Sequence, residues 1–228
     1  MIDEPPLLTV RRNFPRPGAD QVAAFAGLQT GFVADALGGR GALAGSIKPV
    51  SAANAFCGVA LTCEAGPADN LAVVAALSMA AAGDVIVCAA DAFANTAVIG
   101  DLVLGMMKNC GLAAFVTDGF VRDMVGIRAV GLPCYAAGVT PNSPARNGPG
   151  SVGLPIVVGG VAVGPGDIVI GDEDGVVVVP FARIEEARAR LPAIRAAEAE
   201  LDAEVKAGLL VPAFLQALLD GGRFREVD

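Results

Sequence analysis

The chain reads as a single α/β domain built on parallel strands, and three observations point there. Between Asp84 and Ala136 short apolar runs alternate with helical stretches in a β-α-β-α-β order, the pattern that forces parallel pairing. The runs Val85-Ile86-Val87 and Leu112–Val116 are apolar throughout rather than alternating, as expected of strands covered on both faces. Charge is densest in the stretch from Arg183 to Lys206, which separates a greasy body from a solvated helix. The expected organisation is an extended N-terminal arm over 1–20, an α/β domain over 21–180 and a helical C-terminal extension over 181–228.

The elements follow in order. Residues 1–18 hold four prolines and the Arg11-Arg12 pair, which suits an extended arm. Gln21 to Gly38 has helical character and stops at Gly38-Gly39. Residues 55–63 form a strand. Asp69 is placed to cap a helix from Asn70 to Ala82, buried because it is apolar all round and ended by Gly83. Asp84–Ala90 is a buried strand, and a loop through Ala94-Asn95-Thr96 leads to a helix that starts near Gly100-Asp101 and ends at Gly111. Leu112–Thr117 is the next strand. The turn Asp118-Gly119-Phe120 and the pair Arg122-Asp123 follow it, then a short helix to Val130 and a strand from Pro133 to Ala136. Gly138–Gly153 is rich in Gly, Pro, Asn and Ser and reads as a long loop. Strands follow at Ile156–Val163, Asp167–Ile170 and Gly175–Val179, with Asp174-Gly175 as a hairpin turn. Arg183–Lys206 is an exposed helix, and a shorter one begins after Pro212.

Composition narrows the function. Apolar residues make up 54% of the 228 and charged ones 18%, with a mean hydropathy of +0.60. Asp84, Asp91 and Asp101 nevertheless interrupt the greasiest region, so no membrane span is expected. The excess hydrophobicity points instead to buried subunit contacts. MIDEPPLL has no basic or apolar leader region, and five cysteines without a Cys-x-x-Cys pair suit a reducing cytoplasm. A net charge of −8 and few aromatics remove the electrostatic footprint of a nucleic-acid binder.

One spacing carries chemistry. Asp101 is followed, after twenty intervening residues, by Arg122-Asp123, and the chain has no histidine. In an open α/β sheet ligands gather beyond the carboxyl ends of strands, where helix N-termini expose free N–H groups. The amides of Leu102 and Val103 are then available to an anion, and Arg122 can add a bidentate contact worth about 1.5–3 kcal/mol. Asp123 can bind a divalent ion whose other positions are water and substrate oxygens, an arrangement that suits Mg²⁺. Asp101 can orient a water or take its proton. A turn, a helix cap and a solvated ion pair would use the same residues, and the spacing alone does not separate these uses.

Elimination adds weight. A zinc site built on imidazole ligands is closed to this chain, and a Schiff base needs a lysine. Only Lys48, Lys108 and Lys206 exist, in helix-surface or loop-like settings. No Gly-rich cofactor loop follows the early strands, which speaks against a methyltransferase, and the lack of histidine excludes a phosphohistidine carrier.

Asp69-Asn70-Leu71, Gly83-Asp84-Val85, Gly100-Asp101-Leu102 and Thr117-Asp118-Gly119-Phe120-Val121-Arg122-Asp123 resemble the RraA-like family. Within it, the spacing resembles the 4-hydroxy-4-methyl-2-oxoglutarate / 4-carboxy-4-hydroxy-2-oxoadipate aldolases. The likeness runs on through Asn147-Gly148-Pro149-Gly150, Gly159-Gly160-Val161 and Pro165-Gly166-Asp167 to Gly171–Val176, covering about residues 25–185. It implies an α-β-β-α layered, swivelling-domain-like fold assembled as a homotrimer or hexamer with sites between subunits. It implies a class II pyruvate aldolase dependent on Mg²⁺ (or Mn²⁺/Co²⁺) that cleaves 4-hydroxy-2-oxo acids, with an oxaloacetate decarboxylase side activity. By position, Arg122 and the Gly100, Leu102 and Val103 backbone would hold the pyruvyl carboxylate. Asp123 would ligate the metal and Asp101 its waters. The resemblance also implies a glutamate from a neighbouring subunit's C-terminal helix near the site; Glu198 is a candidate, but that helix has several glutamates and a solvated face is the simpler account of them. The competing reading is a non-enzymatic regulator that binds a ribonuclease or another protein. Arg146 and Asn147 in the long loop could cover the site, and Asn95 and Thr96 could face it, although loop and cap roles are the simpler account; Arg128 reads as a surface or interface charge.

Overall fold

The computed structural model describes residue 4 and residues 6–227. Fourteen strands and seven α-helices run in chain order. They begin with β1 (Leu8–Val10), α1 (Ala19–Ala23), α2 (Thr30–Ala36), β2 (Lys48–Pro49), β3 (Phe56–Glu64), α3 (Leu71–Ala76) and β4 (Asp84–Ala89). The middle of the chain forms β5 (Ala97–Ile99), α4 (Asp101–Asn109), β6 (Ala114–Thr117), β7 (Phe120–Val121), α5 (Met124–Val130), β8 (Cys134–Ala136), β9 (Gly138–Val139) and β10 (Gly150–Val152). The remainder holds β11 (Ile156–Val158), β12 (Val161–Val163), β13 (Ile168–Asp172), β14 (Gly175–Val179), α6 (Ile184–Lys206) and α7 (Ala213–Asp220).

The parallel core β3-β4-β6-β8 matches the predicted alternation. β13 pairs antiparallel with the first half of β3, while β10 pairs with its end, so the sheet splits along that strand. Period-two geometry then sorts the side chains. Ile86, Cys88 and Phe115 face α3, α4 and α5. Val85, Val87, Ala114 and Val116 face the β11–β12 hairpin, Val169 and Val178. The opposite face of the β13–β14 ribbon, with Ile168, Ile170, Val177 and Val179, is covered by α2 and α6. Helix, sheet, ribbon and helix make the α-β-β-α layering that the resemblance implies. Each fully buried aliphatic chain in these layers contributes about 1.5–3 kcal/mol. Among the described residues, no helix is long and apolar enough to cross a membrane.

Several elements depart from the sequence reading. The single helix over Gln21–Gly38 is two short helices, α1 and α2, because Gly27 turns left-handed at φ +72° and Gln29 is extended. The helix expected over Asn70–Ala82 ends at Ala76. Ser78 turns its hydroxyl back onto the Ala75 carbonyl at 2.8 Å, and Asp84 draws the Ala81 N–H at 2.9 Å, so the backbone finds partners outside a helix. The strand over Ile156–Val163 is a hairpin turned at Gly159-Gly160, with φ of +54° and +80°. Asp69 is not the cap residue of α3. It accepts the Leu71 N–H at 2.8 Å, and its other oxygen ties down Asn147 and Gly148. The arm and the Gly138–Gly153 loop carry β1, β9 and β10, and β1 pairs parallel with β10.

Candidate active site

The loop chemistry is organised by a small parallel sheet that the sequence did not reveal. Strands β5, β7 and β9 pair in that order, all parallel. From their carboxyl ends emerge, respectively, Gly100-Asp101, Arg122-Asp123 and the segment from Thr140 to Arg146. Three loops from adjacent parallel strand ends meet over one cavity of about 200 Å³. That is below the usual range for drug-sized ligands, and fits a small metabolite.

The two predicted carboxylates sit over each other's helix starts. A Cβ on Gly100 would lie 2.3 Å from Asp123 Oδ2, and one on Gly126 would lie 2.0 Å from Asp101 Oδ2. So α4 offers a glycine to the Asp of α5, and α5 returns one to the Asp of α4. Both glycines are needed because only a bare Cα leaves room for the carboxylate. Gly100 has no side chain to cap α4, and the first helical hydrogen bond is from Leu104 N to Gly100 O at 3.2 Å. The amides of Asp101, Leu102 and Val103 therefore have no acceptor within the helix and face an anion's position with the dipole behind them. The Leu102 side chain is 77% exposed, whereas that of Val103 is buried in the core, so what both present to the cavity in common is backbone.

Arg122 leaves β7 with its Nε 3.2 Å from Asp123 Oδ2 and its Nη1 donating to Ser143 Oγ. Asp123 is exposed and adopts a left-handed backbone at φ +61°, a conformation that costs a non-glycine residue about 1 kcal/mol or more. The Asp101 carboxylate accepts no hydrogen bond among the described residues. A hard cation would therefore find two underused carboxylates and open coordination positions. Among the described residues no trio of His, Cys, Asp or Glu side chains comes close enough to cage one, so protein ligation would be sparse. The donor set would suit an oxygen-ligated divalent ion, with Asp123 and Asp101 as the side chains that could hold it or its waters.

The structure brings Gly100, Asp101, Leu102, Val103, Arg122 and Asp123 together around one cavity. It adds Asn70, Ser143 and Arg146 to the same cavity. Arg146 was legible only as a loop charge, because the β9 end that carries it was hidden in a Gly/Pro-rich stretch. Asn95 and Thr96 do not line the cavity. The strand β5 separates them from Asp101, and the Asn95 carbonyl accepts from Asn142 Nδ2 at 2.8 Å. Lys48, Lys108 and Lys206 lie outside it too, in keeping with chemistry that needs no Schiff base. Glu198 occupies an exposed turn of α6 away from the lining, and Arg128 sits in the last turn of α5, where a cation is favourable.

Fold and site together define an α-β-β-α layered protein with a small cavity at parallel strand ends, lined by Asp101, Arg122 and Asp123. The chain belongs to the RraA-like family (Aldolase/RraA), which matches residues 30–178. A Halalkalibacterium halodurans protein named "Putative 4-hydroxy-4-methyl-2-oxoglutarate aldolase" is 40% identical over 161 residues, 71% of this chain and 77% of its own length. The structure of Streptomyces coelicolor RraAS2, described as an unusual member of the RNase ES inhibitor RraA family, superposes with a TM-score of 0.73 at 28% identity. That match covers 84% of this chain and all of that one. The RNA-processing inhibitor RraA from Thermus thermophilis gives a TM-score of 0.63 at 30% identity, over 67% of this chain and 93% of its own.

Proposed function

We propose that this protein is a divalent-metal-dependent pyruvate aldolase that cleaves 4-hydroxy-2-oxo acids such as 4-hydroxy-4-methyl-2-oxoglutarate to pyruvate and a second oxo acid. Oxaloacetate decarboxylation would accompany it as a side activity. The observation that carries the reading is the convergence of Asp101, Arg122 and Asp123 from the ends of two adjacent parallel strands, β5 and β7, beside uncapped α4 amides. The name of the Halalkalibacterium relative supports it.

In this reading Arg122 and the amides of Leu102 and Val103 hold the C1 carboxylate and orient the 2-oxo group. Asp123 would hold Mg²⁺ (or Mn²⁺/Co²⁺), which when bound supplies a Lewis acid at the 2-oxo oxygen. Asp101 draws the C4 hydroxyl proton through a water, so that C4–O becomes a carbonyl as the C3–C4 bond breaks. The bonding pair passes into the pyruvyl fragment, which a proton at C3 converts to pyruvate. With oxaloacetate the same bond breaks, and carbon dioxide leaves in place of the second oxo acid.

The working form is proposed to be a cytoplasmic homotrimer or hexamer, and the 21–180 domain to be its catalytic unit. Leu102, which lines the cavity, and Val125, in the first turn of α5, are 77% and 85% exposed and offer apolar surface for a second copy to cover. A ribonuclease-binding regulator is the second reading, favoured by the titles of the two solved relatives. It would leave the cavity residues without a task.

A coupled assay of pyruvate release from 4-hydroxy-4-methyl-2-oxoglutarate and from oxaloacetate, with Mg²⁺ or with EDTA, tests the proposal. Release that depends on the metal and falls to background in Asp123→Ala, with the oligomer intact, is the expected result. Turnover in EDTA, or no pyruvate from either compound, would sink it.

A further inference from the structure

We propose that Arg146 is the second anchor of the cavity, binding the distal carboxylate of a dicarboxylic 2-oxo acid and so selecting dianionic over monoanionic substrates. This rests on the cavity being a 2-oxo acid site, as proposed above.

The argument starts from what each guanidinium has left to give. Arg122 commits Nε to Asp123 and Nη1 to Ser143. Arg146 commits only its Nε, at 3.3 Å to Asn70 Oδ1. Both terminal nitrogens of Arg146 are without an acceptor among the described residues, which leaves its planar fork open for a carboxylate.

Arg146 is also carefully placed for an exposed side chain. Asn70 is only 2% exposed, and its Nδ2 donates to the Val98 carbonyl at 2.9 Å, so its amide can only turn Oδ1 toward Arg146. The backbone on either side is stapled to the start of α3. Ala145 N donates to Ala68 O at 2.7 Å and Asn70 N to Ala145 O at 3.0 Å. Asn147 N and Gly148 N both donate to Asp69 Oδ2, at 2.6 and 3.2 Å. A rim charge with no task needs no such framework.

The topology sets the direction of the second contact. The α4 amides follow edge strand β5, Arg122 follows central strand β7, and Arg146 lies beyond the other edge strand, β9. Neighbouring strands are about 4.8 Å apart. An acid whose first carboxylate rests on the amides and Arg122 therefore extends toward Arg146. Ser143, three residues before Arg146 on that loop, already holds Arg122, which fixes the two guanidiniums relative to one another.

The test separates binding from turnover by using two unreactive probes, 2-oxoglutarate and 2-oxobutyrate, in calorimetry with the intact Mg²⁺-loaded protein. The wild type is expected to bind 2-oxoglutarate at least about tenfold more tightly, as one charge-assisted pair provides. Arg146→Gln should weaken 2-oxoglutarate by about 10–100-fold and leave 2-oxobutyrate within about twofold, with Arg146→Lys between the two. Equal weakening of both probes, or of neither, overturns the proposal, as does a wild type that binds neither. Pyruvate release by the same proteins reads the activity separately. Selective binding without release keeps the Arg146 subsite and removes the aldolase. Release of pyruvate with an unchanged substrate preference in Arg146→Gln does the reverse.

Discussion

Asp118 and Asp123 stand five residues apart, each just past a strand, and the chain uses them in opposite ways. Asp118 is buried, and its Oδ1 accepts the Ala90 N–H at 2.8 Å. Burial pushes its pKa above the ordinary carboxylate value, against the pull of the Ala90 and Ala92 amides. Asp123 is exposed, its backbone is left-handed, and among the described residues its carboxylate pairs with the Arg122 beside it. The first carboxylate is consumed by the fold. The second is kept free of backbone duties at a conformational cost, and such residues are available to a ligand.

The comparison breaks most visibly at Gly100. Its added methyl in Gly100→Ala meets the end of a flexible side chain, Asp123 Oδ2 at 2.3 Å, so the carboxylate swings away while the backbone stays. Metal-dependent kcat/KM should fall by about 10–100-fold, the usual effect of disturbing a ligand's support. The midpoint of urea unfolding should move little. A large loss of stability with unchanged kcat/KM per folded molecule would show that Gly100 serves packing instead.

Asp118→Ala should do the opposite. It leaves the Ala90 N–H buried without its acceptor and should cost about 1–3 kcal/mol in urea unfolding. Folded protein should keep its metal response. The pH dependence has a definite sign. Because the folded pKa is raised, the stability this group contributes is present at low pH and lost as pH rises through the folded value. The deficit of Asp118→Ala should therefore be largest in acid and shrink toward neutrality.

Sequence reading succeeded where one local signal decided the outcome. The apolar runs at β4 and β6 and the glycine stop at Gly111 were sufficient for strand and helix, and the residues of the Asp101 to Arg122-Asp123 spacing do meet at one cavity. It failed where tertiary pairing overrode local pattern. β7 and β9 are two residues each, too short for any periodicity, yet their parallel pairing with β5 brings the site loops together. Arg146 was hidden for the same reason. The Gly159-Gly160 turn, by contrast, carried a readable hairpin signal inside a run of valines that looked continuous.

The smallest effect is the sharpest test of the cost assigned to Asp123. Asp123→Ala and Asp123→Gly both remove the carboxylate, the Arg122 contact and the proposed metal ligand, so both should lose metal-dependent turnover. They differ in the backbone alone. Alanine must hold φ +61° against its own Cβ, whereas glycine adopts it freely. Asp123→Gly should thus be the more stable of the two by about 1 kcal/mol in urea unfolding, a difference from which the exposed ion pair cancels. If glycine proved equal to or worse than alanine, the backbone at Asp123 would carry no strain. The contrast with Asp118 would then rest on burial and hydrogen bonding only.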